Sequence, residues 1–506
     1  MKLELSKQEM ISCRLLRDWA CSREETLEMI VPDIAPDVGR VLDTCCFCCL
    51  TRQELTETGI QLAGTIRAYI IYQPEKEEHL ERLEAEIPFQ HSIDGDRGGI
   101  NCVLTARGQV MSAQTRVINS RKLLIKADIR ESLRLWEPEV RAVCSGICSG
   151  TDQGVQEKKE HFQMTLSRLP REKRFIIEDE LELQDGKGDI DQILSACPGV
   201  ICTESRIMGS KVIVKGVARM ELLCRRSNGE LCRLENEFPV SQMLDADETG
   251  EGTRCQGEIH LLNWHLGSFE PEEQRASVTL EMAASVQLYE SLPVQVLTDS
   301  YSTKYSMKLE TKEQRFQLRS DSQVRRSARE SVNTEEPVRH IHACRTELGL
   351  GELTEDTGGI KLRQPVTMTV LYQTESGRWE SASKRFDLSA TVERAEDRQL
   401  CWSCDTVTQE ALLSAAGIEL RLTGEFRLSE FQSFTLPVIA EAELDDSRDI
   451  HQKDRPSIVL RAVGAGEDIW QLAKSYSTTC QAIREANGLE GGGLREGQML
   501  LVPCKR

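Results

Sequence analysis

Ile66-Arg67-Ala68-Tyr69-Ile70-Ile71-Tyr72 runs into Gln73-Pro74-Glu75-Lys76, and then into Leu80-Glu81-Arg82-Leu83-Glu84-Ala85-Glu86-Ile87-Pro88-Phe89. In the first run Ile66, Ala68, Ile70 and Tyr72 point one way, the period-two signature of a half-buried β-strand. A breaker-rich turn between two such runs reads as a β-hairpin.

The arrangement returns twice. Ala218, Met220, Leu222 and Cys224 alternate ahead of Ser227-Asn228-Gly229, and Leu231-Cys232-Arg233-Leu234-Glu235-Asn236-Glu237-Phe238-Pro239-Val240 matches Leu80 to Phe89. A weaker copy runs from Val366, Met368, Val370 and Tyr372 through Glu375-Ser376-Gly377 to Trp379-Glu380-Ser381-Ala382-Ser383-Lys384-Arg385-Phe386-Asp387-Leu388. The repeat length is about 150 residues. Asn228-Gly229 has the composition of a type I′ turn. Each copy later offers another strand pair: Leu123 to Leu133 after Asn119-Ser120, Ala276 to Leu288 after Glu270-Pro271, and Ile418 to Leu428 after Ala416-Gly417. The first two copies also share an entry, Pro36-Asp37-Val38-x-x-Val41-Leu42 against Gly188-Asp189-Ile190-x-x-Ile193-Leu194.

The last fifty residues are different. Val459 to Val463 is short and β-prone, Gly464-Ala465-Gly466 turns, and Glu467 and Asp468 place carboxylates at a helix start. Ile469, Trp470, Leu472, Ala473 and Tyr476 recur at helical spacing, with Trp470, Leu472 and Tyr476 the expected core. Ala482, Ile483 and Ala486 give a second helix stopped by Asn487-Gly488; Gly491-Gly492-Gly493 loops, and Met499 to Val502 closes with a strand. The fold class is therefore mainly β: three tandem β-rich repeats followed by a small βααβ domain. Expected boundaries are 1–150 for an N-terminal segment and the first repeat, 160–312 for the second and 313–444 for a divergent third. A linker at 445–456 and the small domain at 457–506 complete the chain.

The pattern Gly466-x-x-Ile469-Trp470-x-Leu472-Ala473, Asn487-Gly488-Leu489, Leu494-x-x-Gly497-Gln498 resembles the LysM family. That resemblance implies a shallow groove for N-acetylglucosamine polymers or, in some members, a protein, lined here by Gly466, Glu467, Asp468, Ile469, Gly488 and Leu489. Arg461 stands where an aromatic is usual, and Glu467-Asp468 replaces the commoner Asp-Thr. Two adjacent carboxylates would set negative charge where a neutral sugar packs, which turns the expectation toward a protein ligand.

The repeats, with Val31-Pro32-Asp33 ahead of the first, resemble the SPOCS repeat of clostridial spore-coat proteins. Their order before a LysM domain is similar to the SipL-like family of spore coat morphogenetic proteins. That resemblance implies work in the mother-cell cytoplasm at the forespore surface, within the spore coat. It implies other coat proteins and a SpoIVA-like coat ATPase, docked through LysM, as partners. The expected function is a non-enzymatic scaffold tethering coat layers; the alternative is a peptidoglycan- or N-acetylglucosamine-binding protein at the cell wall or spore cortex.

Charge and composition agree with that class. The net charge is −19, while residues 457–506 carry six Lys+Arg against five Asp+Glu, so the acidity belongs to the body. Such a surface argues against nucleic acid and anionic membranes. Met1 to Glu9 lacks the apolar core of an export signal, and no stretch has the length of a membrane span, so the expectation is a cytosolic chain. Nineteen cysteines, an odd number, then read as reduced thiols.

Cys45-Cys46-Phe47-Cys48-Cys49 and Cys401-x-x-Cys404 have zinc-like spacings but lack the glycine-bearing knuckle turns of such sites. They read as structural thiols at strand positions, with metal binding and later oxidative cross-linking as alternatives. His340-x-His342-x-Cys344 would share one face of an extended segment. No Gly-x-Ser-x-Gly elbow, phosphate-cradling loop or His-Glu-x-x-His occurs, so no catalytic residue, metal ligand or cofactor is nominated.

Overall fold

The structure, a computed structural model, describes all residues except 95–100, 149–152, 184–187, 247–248, 251, 357–358, 394–397, 450–455, 490–493 and 505–506. The body consists of three units with one strand plan. The first has β1 (Glu4–Ile30), β2 (Val38–Leu55), β3 (Gly59–Pro74), β4 (Glu81–Asp94), β5 (Val103–Asn119) and β6 (Lys122–Cys148). Its middle strands form an antiparallel β2-β3-β4 sheet, and β1 and β5 flank β6 in a second sheet.

The second unit repeats this plan with β7 (Val155–Ser167), β8 (Arg171–Glu182), β9 (Ile190–Met208), β10 (Lys211–Arg226), β11 (Leu231–Asp245), β12 (Thr253–Glu270) and β13 (Arg275–Ser302). Here β7 and β8 together replace β1, each pairing with one half of β13. The third has β14 (Tyr305–Asn333), β15 (Val338–Leu348), β16 (Glu352–Asp356), β17 (Gly359–Thr374), β18 (Trp379–Val392), β19 (Arg398–Ser414) and β20 (Gly417–Asp449). In this copy β15 and β16 share the place of β2. The quoted hairpin is β3-β4, and its counterparts are β10-β11 and β17-β18. Strand pairing moves two expected boundaries: 312/313 falls inside β14, and the 445–456 linker starts inside β20, because these strands pair with each other along nearly their whole length. Residues 450–455 of that linker lie outside the described residues.

The shared entry motif is a register device. Opposite β3, strand β2 has one extra residue at Gly39 and another at Leu42. Strand β9 repeats this against β10 at Asp191 and Leu194, and β15 against β17 at Arg339 and His342. Two bulges three residues apart re-aim the bulged side chains. The third copy, Glu336-Pro337-Val338, lacks the aspartate but behaves alike: Asp37, Asp189 and Pro337 each accept a hydrogen bond from the residue opening the turn, Glu75, Ser227 and Glu375.

That tie changes the expected turn. Only Gly229 has positive φ, +85°, and its N–H bonds Arg226 O at 2.8 Å, so Ser227 and Asn228 are the central residues and the turn is not type I′. Asn228 Oδ1 instead accepts from Glu230 N at 3.0 Å. Gly377, φ +88°, closes the third hairpin in the same way.

A further bulge separates the copies. A Cβ on Gly64 or Gly216 would lie 2.2 and 2.4 Å from the carbonyls of Cys49 and Ile201, beside the extra residues Thr51 and Thr203. The third unit has Gln364 at this position. The side chain cannot share that space, and the partner strand breaks into β15 and β16 around Gly349, whose carbonyl accepts from Gln364 Nε2 at 2.8 Å.

The units close around a common axis. Leu42 and Leu194 meet Ile71, Leu223, Leu371, Leu80 and Trp379 in a buried cluster drawn from all three. Thus β3 is buried on both faces rather than one: Ile66, Ile70 and Tyr72 face the unit's own core and Ile71 the axis. At the other end, Met10, Val143, Met164, Val296, Phe316 and Val438 bring β1, β6, β7, β13, β14 and β20 together. Equivalent polar contacts seal successive interfaces, Arg40 to Glu380 at 3.2 Å and Gln192 to Glu81 at 3.1 Å.

Candidate functional site

The C-terminal domain has β21 (Ile458–Ala462), α1 (Ile469–Ser475), α2 (Cys480–Asn487) and β22 (Met499–Pro503), the expected βααβ order. Asp468 is the N-cap of α1, its carboxylate accepting from Gln471 N at 2.7 Å while Gln471 Oε1 accepts from Asp468 N at 3.1 Å, a capping box. Thr479 caps α2 through Ala482 N, and Gly488 ends it in the left-handed conformation. Asn487 does more than stop the helix. Its amide bonds both the N–H and the C=O of Leu501 at 2.7 Å, covering the outer edge of β22.

Of the expected core, Leu472 is fully buried with Val463, Ala473, Ile483, Leu500 and Val502, while Trp470 and Tyr476 are only half-buried. Trp470 faces the second unit. Its Nε1–H donates to Asp299 at 2.7 Å, its ring meets Tyr301 edge-on at 4.9 Å, and Lys474 Nζ reaches the other Asp299 oxygen at 2.6 Å. The buried Tyr301 hydroxyl donates to Thr478 O at 2.7 Å, and Lys158 on β7 pairs with Asp468 at 3.3 Å. The domain is therefore docked on the ends of β7 and β13 rather than held only by a linker.

The six expected groove residues lie around the start of α1 and the end of α2. Gly466 and Gly488 are exposed, and Glu467, Asp468, Ile469 and Leu489 are half-buried. The negative charge expected at Glu467-Asp468 is compensated internally. Glu467 pairs with Arg461 at 2.5 Å and accepts from Gly464 N at 2.9 Å, while Asp468 is shared between its helix and Lys158. Arg461, in the usual aromatic position, serves as that counter-ion.

The opposite face was not anticipated. The alternation of β21 and β22 puts Val459, Leu500 and Val502 against the helices and leaves Ile458, Leu460, Met499 and Leu501 outside, 59%, 61%, 54% and 42% exposed. Leu460 and Leu501 are directly paired. Four large apolar side chains on one small sheet form a patch of the kind that proteins keep for partners.

The docking contact itself is testable. Asp299→Ala removes two charge-assisted or indole hydrogen bonds from α1, together worth about 1.5–3 kcal/mol. Hydrogen exchange in α1 is expected to accelerate tenfold or more, with β3 and β10 unchanged; unaltered α1 protection would show that the contact contributes nothing.

The metal-like motifs come apart in the strands. Within β2, Cys46 and Cys48 face the first unit's core and Cys45 and Cys49 the other side, so each Cys-x-x-Cys spacing splits across two faces. Burial pushes the Cys46, Cys48 and Cys49 thiols up, and Cys404 up to about 12. None of the nineteen cysteines is in a disulfide. The bulge at His342 breaks the alternation expected of His340, His342 and Cys344. Among the described residues, Glu77, His79 and Glu81 do bring ligand-type atoms within 4.8 Å of one another. Burial acts to raise Glu81, but hydrogen bonds from Arg225 and Gln192 outweigh it and hold the carboxyl below its ordinary value, so this cluster reads as part of the junction between units.

Three β units around one axis, followed by a docked βααβ domain with an open face, define a chain of β-rich repeats with an appended small domain. The family model described as SipL, SPOCS domain matches residues 189–264, from the entry of β9 into β12, and the LysM domain model matches residues 463–503. The chain thus carries a SPOCS domain in its second unit and a C-terminal LysM domain, and in that combination it is similar to SipL. Both are binding types of domain. No curated protein and no solved structure matches the chain. No helix among the described residues is long and apolar enough to cross a membrane.

Proposed function

We propose that the chain is a non-enzymatic scaffold of spore coat assembly, acting in the mother cell at the forespore surface. All three units are SPOCS repeats that attach coat layers, and the LysM domain docks a SpoIVA-like coat ATPase. The strand plan and paired bulges that the first and third units share with the matched second unit support the repeat assignment. The observation that carries the docking assignment is the outer sheet face of Ile458, Leu460, Met499 and Leu501. A face without polar side chains offers nothing to sugar hydroxyls but suits an apolar protein surface.

The second reading, binding of peptidoglycan through the groove, draws support from the LysM match and from the exposure of Gly466 and Gly488. One experiment separates them. Full chain is passed over immobilised coat ATPase and over cell wall with and without muramidase. Retention by the ATPase without muramidase-sensitive retention by wall is expected; the reverse pattern would replace the scaffold reading with the glycan one.

A further inference from the structure

We propose that Cys45 and Cys197 are a modification site, forming a disulfide that staples the first unit to the second. Cys45 lies seven residues into β2 from Val38, Cys197 seven into β9 from Ile190, and Arg345 seven into β15 from Val338. The three are equivalent positions of the three units, brought together by the paired bulges that precede them. Two carry thiols and the third a guanidinium.

The Cys45 and Cys197 sulfurs are 3.4 Å apart, in contact but not bonded. They come from sheets whose register is pinned on both sides of the pair, so their proximity is a property of the closed body and not of a loop. Both line an open cavity of about 690 Å³, also lined by Cys49, Cys344 and Arg345 and large enough to admit a small oxidant. Cys45 is buried and Cys197 half-buried in its wall.

Arg345 shapes the chemistry. Its guanidinium pairs with Asp43 at 2.7 Å and with Glu347, and interacts electrostatically with Cys45. A fixed cation at the third equivalent position disfavours a metal held by the two thiols. The hydrogen bond with Cys45, together with burial, holds the Cys197 thiol well above its ordinary range.

With a hydroperoxide as oxidant, the Cys45 sulfur gives up its proton and attacks the peroxide oxygen. The O–O bond breaks, Cys45 becomes a sulfenic acid, and the released hydroxide takes up a proton to leave as water. The Cys197 sulfur then attacks the Cys45 sulfur, the S–O bond breaks, and the Cys197 proton leaves with that hydroxyl as a second water. Two thiols and one hydrogen peroxide give one disulfide and two waters. The bridge closes a loop of about 150 residues, a length at which a cross-link strongly restricts the unfolded chain.

The test uses the full chain, reduced, then treated or not with hydrogen peroxide and digested with trypsin without reduction. A cross-linked pair of the peptides 41–52 and 188–206, with fragment ions assigning the bond to Cys45 and Cys197, is expected in the monomer fraction. The urea midpoint of the oxidised chain should rise, and both effects should vanish in Cys197→Ser. Absence of this pair from oxidised wild-type protein, a bond placed at other cysteines, or a cross-link that survives Cys197→Ser would overturn the assignment. Because the peptide readout is made on wild-type chain, it stands even if a variant fails to fold.

Discussion

His342→Leu is expected to stabilise the chain by about 1–2 kcal/mol at pH 7, and its advantage over wild type should grow by about another 1–2 kcal/mol as the pH falls from 6.5 toward 4. The paired bulges place His342 where the first two units have the buried Leu42 and Leu194, and its ring lies 5.0 Å from Trp379 of the axial cluster. Its Nε2 is buried without a hydrogen-bond partner, so leucine removes an unsatisfied polar atom. Burial, aided by the neighbouring His340, depresses its pKa from 6.5 to about 4. Between those values the unfolded chain binds the proton and the folded chain does not, so stability falls with falling pH across this window and levels off below it. In full the shift would be worth about 3.4 kcal/mol; for a half-buried ring, solvent screening leaves about half. Urea denaturation of both proteins at pH 7, 5.5 and 4.5 gives the comparison. A difference that stays constant with pH would show that this imidazole is not held neutral by the fold.

The same position shows where the sequence stops being legible. Alternation at Ile66 to Tyr72 and its copies reports a local property, the pleat, and so the strands and hairpins could be read directly. A bulge is a difference in count between two strands and leaves no mark in either alone. The equivalence of Leu42, Leu194 and His342 therefore became visible only through the register. The LysM fold was likewise legible, because its caps at Asp468 and Thr479 and its left-handed Gly488 are signals within a few residues of each helix. Its seat on the body was not. Lys158, Asp299 and Tyr301 lie 310, 171 and 177 residues from Asp468, Trp470 and Thr478, and on a charged strand such side chains look like any solvated face. The acidic pair combines both cases: Glu467 is paired with Arg461, only six residues away across the turn, and Asp468 with a lysine of another unit.

Leu460→Asp combined with Leu501→Asp is expected to weaken docking of the coat ATPase at least 100-fold, the largest functional effect predicted for any pair in the chain. These two side chains are directly opposed at the middle of the outer sheet face, with Ile458 and Met499 beside them, so together they occupy the centre of the patch. Central apolar anchors of an interface commonly cost about 2 kcal/mol or more each when lost, and a carboxylate adds the penalty of burying a charge. The domain should remain folded, because both side chains point away from Leu472, Ile483, Leu500 and Val502, and the Asn487 side-chain amide bonds only the backbone N–H and C=O of Leu501. Circular dichroism and the exchange protection of α1 supply that control. Ile469→Arg, at the groove on the other side, should leave docking within a few-fold of wild type. If Ile469→Arg abolishes the interaction and the double aspartate variant binds normally, the partner enters the LysM groove, and the exposed sheet face has to be explained otherwise.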